Sequence, residues 1–178
     1  DTIRPPQVIY GVSDPSADVV IQEINVRTES LQMLVADLKV REDQIARLPS
    51  ILPTGSRRWQ ITSPYGYRKD PFTYRVCLHS GVDISAPPGS PVLAAARGEV
   101  VFAEYDGSYG RTIRINHGNG VETQYSHLQS IDVKVGTAVE RRDVIGKLGS
   151  SGRSTGPHIH YEVHVNGRPV DPRKYFRD

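Results

Sequence analysis

His158-Ile-His-Tyr-Glu-Val-His-Val165 alternates polar and apolar residues without a break. Successive side chains of a strand point to opposite faces, so His158, His160, Glu162 and His164 share one face. Ile159, Tyr161, Val163 and Val165 share the other. The apolar face belongs against a core, and the opposite face is lined with imidazoles. This predicts a half-buried strand over Ile159 to Val165. Short turn-bounded stretches of similar character run over Pro91 to Ala95, Gly98 to Tyr105, Arg111 to Asn116 and Val121 to Leu128. His117-Gly-Asn-Gly120 separates two of them as a hairpin connection. Nothing after residue 56 reads as a long helix. Residues 57–178 are therefore predicted to be mostly β, a compact antiparallel sheet or sandwich.

The chain upstream has a different rhythm. Asp14-Pro15 reads as a helix start, an Asp N-cap followed by Pro at the first helical position. From there to Leu48 neither Gly nor Pro recurs. Ile24, Leu31, Leu38 and Ile45 repeat every seven residues, with Val20, Leu34 and Leu48 complementary and Arg27 and Arg41 interrupting. The spacing predicts a coiled-coil-like helix over 14–48, roughly 50 Å long. A long amphipathic helix folded against its own domain fits the pattern equally. Pro49-Ser-Ile-Leu-Pro-Thr-Gly-Ser56 breaks the helix and marks 49–56 as a linker, while residues 1–13 read as extended.

Bulk properties narrow the class. With 178 residues, 37% hydrophobic and 24% charged, the chain is globular, one domain plus an appendage. A net charge of +2 is too small a bias to make nucleic acid the main partner. No apolar run approaches the ~18 residues of a membrane span. Because the chain begins at Asp1 without Met, a processed protein is expected, with any signal or membrane anchor lying upstream.

The imidazole face carries the chemistry. His-x-His alone is more often a solvated strand face than a metal site. Far upstream, however, stands His79-Ser-Gly-Val-Asp83. Together the two segments offer His, Asp and His, a set suited to Zn²⁺ with the fourth tetrahedral position left for water. Two more histidines, His127 and His158, remain to handle protons. His127 lies in Val121-Glu-Thr-Gln-Tyr-Ser-His-Leu128, on a face expected to be shared with Thr123 and Tyr125. If that strand neighbours the His158 strand, the two imidazoles flank the site.

The remaining candidates carry less weight. The lone Cys77 is expected to be a small buried hydrophobe, since a thiolate would fill the open position. His117 is expected to shape the hairpin. His164, roughly 13 Å beyond His160 along an extended strand, is too far to ligate the same ion. Glu162 either orients a ligand imidazole or faces solvent. Tyr109 either lines a substrate groove or covers the sheet, and the polar loop Arg153, Ser154, Thr155 fits a groove wall.

Several segments together resemble the lysostaphin/LytM-type zinc metalloendopeptidases of the bacterial cell wall. They are Tyr65-Gly-Tyr-Arg-Lys-Asp-Pro71, His79-x3-Asp83 with Gly81-Val-Asp-Ile84, Tyr109-Gly110, His117-Gly-Asn-Gly120, Tyr125-Ser-His127-Leu128 and Gly156-Pro-His158-Ile-His160-Tyr-Glu162. The likeness spans about residues 57 to 172. It implies His79, Asp83 and His160 as zinc ligands and His127 and His158 as catalytic histidines, without saying which is the general base. It also implies an antiparallel β-fold with a groove over the metal. The implied substrate is the stem-peptide cross-links of peptidoglycan, in a D,D-endopeptidase reading, and the implied location is the cell envelope, periplasmic or extracellular. The helix lies outside the likeness and is expected to self-associate, bind a protein partner or restrain the enzyme. A non-enzymatic docking module is the competing class. A carbohydrate-phosphotransfer or lipoyl-carrier β-module, suggested by the rhythm from Val135 to Val139, would need no such cluster.

Overall fold

The computed structural model describes residues 15–71 and 73–176. Asp14 and the expected extended segment 1–13 lie outside the described residues. The chain divides into two compact units between Asp43 and Gln44.

The described part of the first unit is helix. α1 (Pro15–Ala46) runs for 32 residues. Two ion pairs at (i, i+4), Glu23 with Arg27 and Asp37 with Arg41, close at 2.6 and 2.8 Å. In both the acid precedes the base, the orientation that favours a helix. Exposed pairs of this kind add only about 0.3–0.5 kcal/mol each. The seam residues Ile24, Leu31 and Leu38 are all more than half exposed. No helix among the described residues is long and apolar enough to cross a membrane. The last carbonyls are satisfied within the second unit, where Arg141 Nη2 donates to the oxygens of Ile45, Ala46 and Leu48.

The second unit is a set of antiparallel strands. Its first five are β1 (Gln60–Ser63), β2 (Gly66–Lys69), β3 (Val76–His79), β4 (Val82–Ser85) and β5 (Pro91–Leu93). Next come β6 (Gly98–Asp106), β7 (Gly110–Gly118), β8 (Val121–Leu128) and β9 (Ser130–Ile131). The last are β10 (Ala138–Val139), β11 (Val144–Lys147), β12 (Ile159–Val165) and β13 (Arg168–Val170). The main sheet has the order β1-β4-β12-β8-β7-β6-β10, with β13 paired to β12. A three-stranded sheet, β5-β11-β9, and the hairpin β2-β3 complete the unit. The β7–β8 connection has Asn119 and Gly120 at φ 52 and 74, the left-handed pair that a two-residue hairpin turn requires. Residues 49–56 pack on this unit. Pro49, Pro53 and Thr54 are buried, and the Leu93 amide donates to the Pro53 carbonyl at 3.1 Å.

The strand predicted over Ile159 to Val165 is β12, and it lies deep within the main sheet. Ile159, Tyr161 and Val163 are fully buried with Val82, Ile84, Val100, Ile113 and Tyr125 in one core. Thr123 and Tyr125 lie opposite Val163 and Tyr161 in register and belong to that core face. The other face of β12 therefore carries His160, Glu162 and His164 away from the core.

Candidate metal centre

Three elements bring the two distant motifs together. β4 pairs with β12 so that Asp83 stands opposite His160, and His79 ends β3 just before the turn into β4. Asp83 Oδ1 lies 2.8 Å from His160 Nδ1 and 3.1 Å from His79 Nε2, and the two nitrogens are 3.1 Å apart. This is the triangle that a tetrahedral cation fits: ligand distances of about 2.0–2.1 Å give tetrahedral edges of roughly 3.3 Å.

The hydrogen bonds on the far sides of the rings decide what the triangle holds. His79 Nδ1 faces the Pro64 carbonyl at 2.8 Å and must donate to it, which leaves Nε2 unprotonated. His160 Nε2 donates to Glu162 Oε1 at 2.8 Å, which leaves Nδ1 unprotonated. With both rings neutral, two imidazole lone pairs and a carboxylate oxygen would thus converge with no proton among them. Such an arrangement is repulsive unless a positive charge sits inside it. Protonation is one way to supply that charge. Burial lowers the pKa of His160, but the bonds to Asp83 and Glu162 outweigh it and raise the value to about 9. Burial likewise opposes ionisation of Asp83, and the bonds from His160 and His79 hold it well below the usual carboxylate range. A cation is the other way, and the donor set fits Zn²⁺. Among the described residues, His79, Asp83 and His160 are the group placed to hold a metal ion.

His127 and His158 stand beside this cluster, their ring centroids 4.8 Å apart. His127 Nδ1 donates to the Ser151 carbonyl at 2.8 Å, and His158 Nδ1 donates to the Gly156 carbonyl at 2.7 Å. Each ring keeps its Nε2 as a proton acceptor. That of His158 is 3.7 Å from Asp83 Oδ1. Burial pushes the pKa of His127 down to about 4, against its bond to Ser151, so it is neutral near pH 7.

His127 does not reach the site by the expected route. Strict alternation would have aimed it into the core with Thr123 and Tyr125. The pairing of β7 with β8 slips between Arg111 and Ile113, so Ser126 and His127 together face one residue of β7. At this bulge His127 adopts φ 63 and turns out of the core face. Bulges re-aim side chains in this way beside functional sites.

A groove of about 460 Å³ opens over the cluster, and Tyr109, Arg153, Ser154 and Thr155 are among its lining residues. Arg68 and Asp70, which sequence reasoning gave no individual role, line it too. Arg68 Nη2 lies 3.4 Å from Asp83 Oδ2, and Asp70 forms an ion pair with Arg153 at 2.5 Å. Their signal was the charged end of Tyr65 to Pro71. Glu162 does not face solvent; it is 2% exposed and bonded to His160. His164 bonds to the second oxygen of Glu162 rather than to the cluster. His117 is a structural bridge, joining the Arg97 carbonyl at 2.7 Å to Thr123 Oγ1 at 2.8 Å. The expectation that Cys77 is buried is corrected. Its thiol is exposed, and among the described residues β3 pairs with β2 alone, in a hairpin apart from the main sheet.

The signature of peptidase family M23 matches residues 77–172, a span that includes His79, Asp83, His127, His158 and His160. The DD-carboxypeptidase/endopeptidase Mpg of Neisseria meningitidis is 49% identical over 113 residues, 64% of this chain and 26% of that protein. The peptidoglycan DD-endopeptidase ShyA of Vibrio cholerae is 41% identical over 133 residues, 74% of this chain and 31% of that protein. The chain thus spans less than a third of the length of these relatives. A crystal structure of a zinc-containing peptidase from Vibrio cholerae superposes with a TM-score of 0.66 at 39% identity. That match covers 71% of this chain and 39% of the other. On the extent of the signature and the spacing of the residues within it, the chain belongs to peptidase family M23.

Proposed function

We propose that the protein is a zinc-dependent endopeptidase that hydrolyses peptide cross-links of bacterial peptidoglycan, of the D,D type. One observation carries the reading: three convergent lone pairs on a groove floor, with two proton-accepting imidazoles beside them. His79, Asp83 and His160 are the residues assigned to hold zinc. Bound there, zinc would supply Lewis acidity for the scissile carbonyl and for a water molecule. His127 and His158 move the protons. Hydrolysis of an amide takes one proton from the attacking water and delivers one to the departing amine, and each ring keeps a free Nε2 for such a transfer. The Ser151 and Gly156 carbonyls hold both rings in the tautomer the task needs. The groove walls at Tyr109, Arg153, Ser154 and Thr155 receive the stem peptide.

The relatives named for DD-endopeptidase activity support this substrate class, and a cell-envelope location, periplasmic or extracellular, follows from it. The helix over 14–48, with 49–56 joining it to the β-domain, is assigned to association with a protein partner or a second copy. The exposed seam Ile24, Leu31 and Leu38 supports that assignment. Incubation of the protein with purified sacculi, followed by mass analysis of released muropeptides, tests the function. Conversion of cross-linked dimers to monomers cut at the D-Ala bridge is expected. Unchanged dimers in the presence of zinc would reject the enzyme reading and favour a docking module.

A further inference from the structure

Glu162 is the most buried ionisable group of the site, and its surroundings are built around it. Oε1 accepts from His160 Nε2 at 2.8 Å, from Ser80 Oγ, and from the Tyr109 hydroxyl at 3.4 Å. Oε2 accepts from His164 Nε2 at 2.5 Å. Burial of a carboxylate is costly unless donors replace its water, and here four do. The turn from β3 to β4 is shaped to lie against it. A Cβ on Gly81 would come within 2.9 Å of Glu162 Cγ and 2.3 Å of the Tyr161 carbonyl oxygen.

We propose that Glu162 is a positioning residue for the metal centre. It acts through His160, and the inference rests on the zinc reading given above. An imidazole can offer either nitrogen to a cation and can turn about its Cβ–Cγ bond. The Glu162 carboxylate removes both freedoms. It binds the Nε2 proton, so that Nδ1 carries the lone pair, and it fixes the ring plane so that this lone pair meets those of His79 and Asp83. His164, Ser80 and Tyr109 anchor the carboxylate in turn. The chain therefore specifies its ligand geometry from behind the ligand, and the alternation of β12 is what places acid and imidazole on one face. Carboxylates that orient metal-bound histidines in this way typically account for 10–100-fold in metal affinity.

Glu162→Gln tests the inference. Glutamine keeps the length but brings an NH₂ where every neighbour is already a donor. Zinc affinity, measured by competition against a chelator, is expected to fall at least tenfold relative to the wild-type protein. A smaller loss overturns the proposal. A second readout needs no variant. In the zinc-loaded wild-type protein, the His160 Nε2 proton should give a slowly exchanging, strongly downfield imidazole N–H signal by NMR. Its absence overturns the proposal even where Glu162→Gln fails to fold. A wild-type protein that takes up no zinc overturns the metal reading itself. Uptake that is indifferent to Glu162 overturns this inference alone.

Discussion

Replacing His127 with alanine separates proton transfer from metal binding. The ring contacts no member of the ligand triangle by hydrogen bond, and its one bond runs to the Ser151 carbonyl. General acid–base assistance by a positioned side chain is worth about 10²–10⁴-fold, roughly 3–5 kcal/mol of barrier. The cost to the fold is smaller. One hydrogen bond contributes about 1 kcal/mol, and loss of a largely buried ring at a groove floor brings the total to about 1–3 kcal/mol. The left-handed backbone at φ 63 is set by the bulge and strains alanine as it strains histidine. His127→Gly removes that strain, of about 1 kcal/mol, and serves as a control. Both variants should therefore fold, keep one zinc per chain, and lose at least 10²-fold in the rate of muropeptide release from sacculi. The glycine variant should melt no lower than the alanine variant. A His127→Ala protein that retains zinc and works within tenfold of wild type would remove this residue from the mechanism.

Three further outcomes follow from other parts of the molecule. His158→Ala should behave like His127→Ala, retaining zinc and losing at least 10²-fold in turnover; loss of the metal instead would make His158 a ligand. Burial drives the folded-state pKa of His117 down to about 4, against its bond to the Arg97 carbonyl. The unfolded chain binds that proton near pH 6.5, so the stability His117 contributes is full above that pH and lost as pH falls through 4. The loss amounts to about 3 kcal/mol, and denaturant titrations of His117→Gln should show a shallower acid decline than wild type; identical slopes would contradict the assignment. A chain starting at Gln44 retains the whole second unit. It should fold and bind zinc but differ from the longer chain in mass by light scattering or in sacculus digestion, and identity in both would show that the helix neither assembles nor regulates the protein.

How much of this was legible in the sequence depended on the range of the interactions. Alternation over eight residues sufficed for β12, and the Asn119-Gly120 turn for the β7–β8 hairpin. His79, Asp83, His158 and His160 were legible as candidates because two short motifs offer complementary ligands. Which face His127 takes was not, since one extra residue in β8 inverts the alternation that the reading relied on. Cys77 was misread because the reading rested on the usual burial of lone cysteines, which says nothing of how far its own hairpin is covered. Its hairpin pairs with nothing else, and Val76 and Leu78 are exposed as well. Glu162 stayed undecided because its partners Ser80 and Tyr109 are some 82 and 53 residues away in the chain. No local pattern reports such contacts. The strands of the β5-β11-β9 sheet are only two to four residues long, too short for any period to register.

The proposed mechanism requires a zinc ion at His79, Asp83 and His160. Metal analysis of the purified protein and of His160→Ala, after equilibration with zinc and removal of excess, tests it most directly. One zinc per wild-type chain and marked loss in His160→Ala are expected, because two remaining ligands leave the site open on two sides. Full zinc retention by His160→Ala, with unchanged release of muropeptides, would contradict the account.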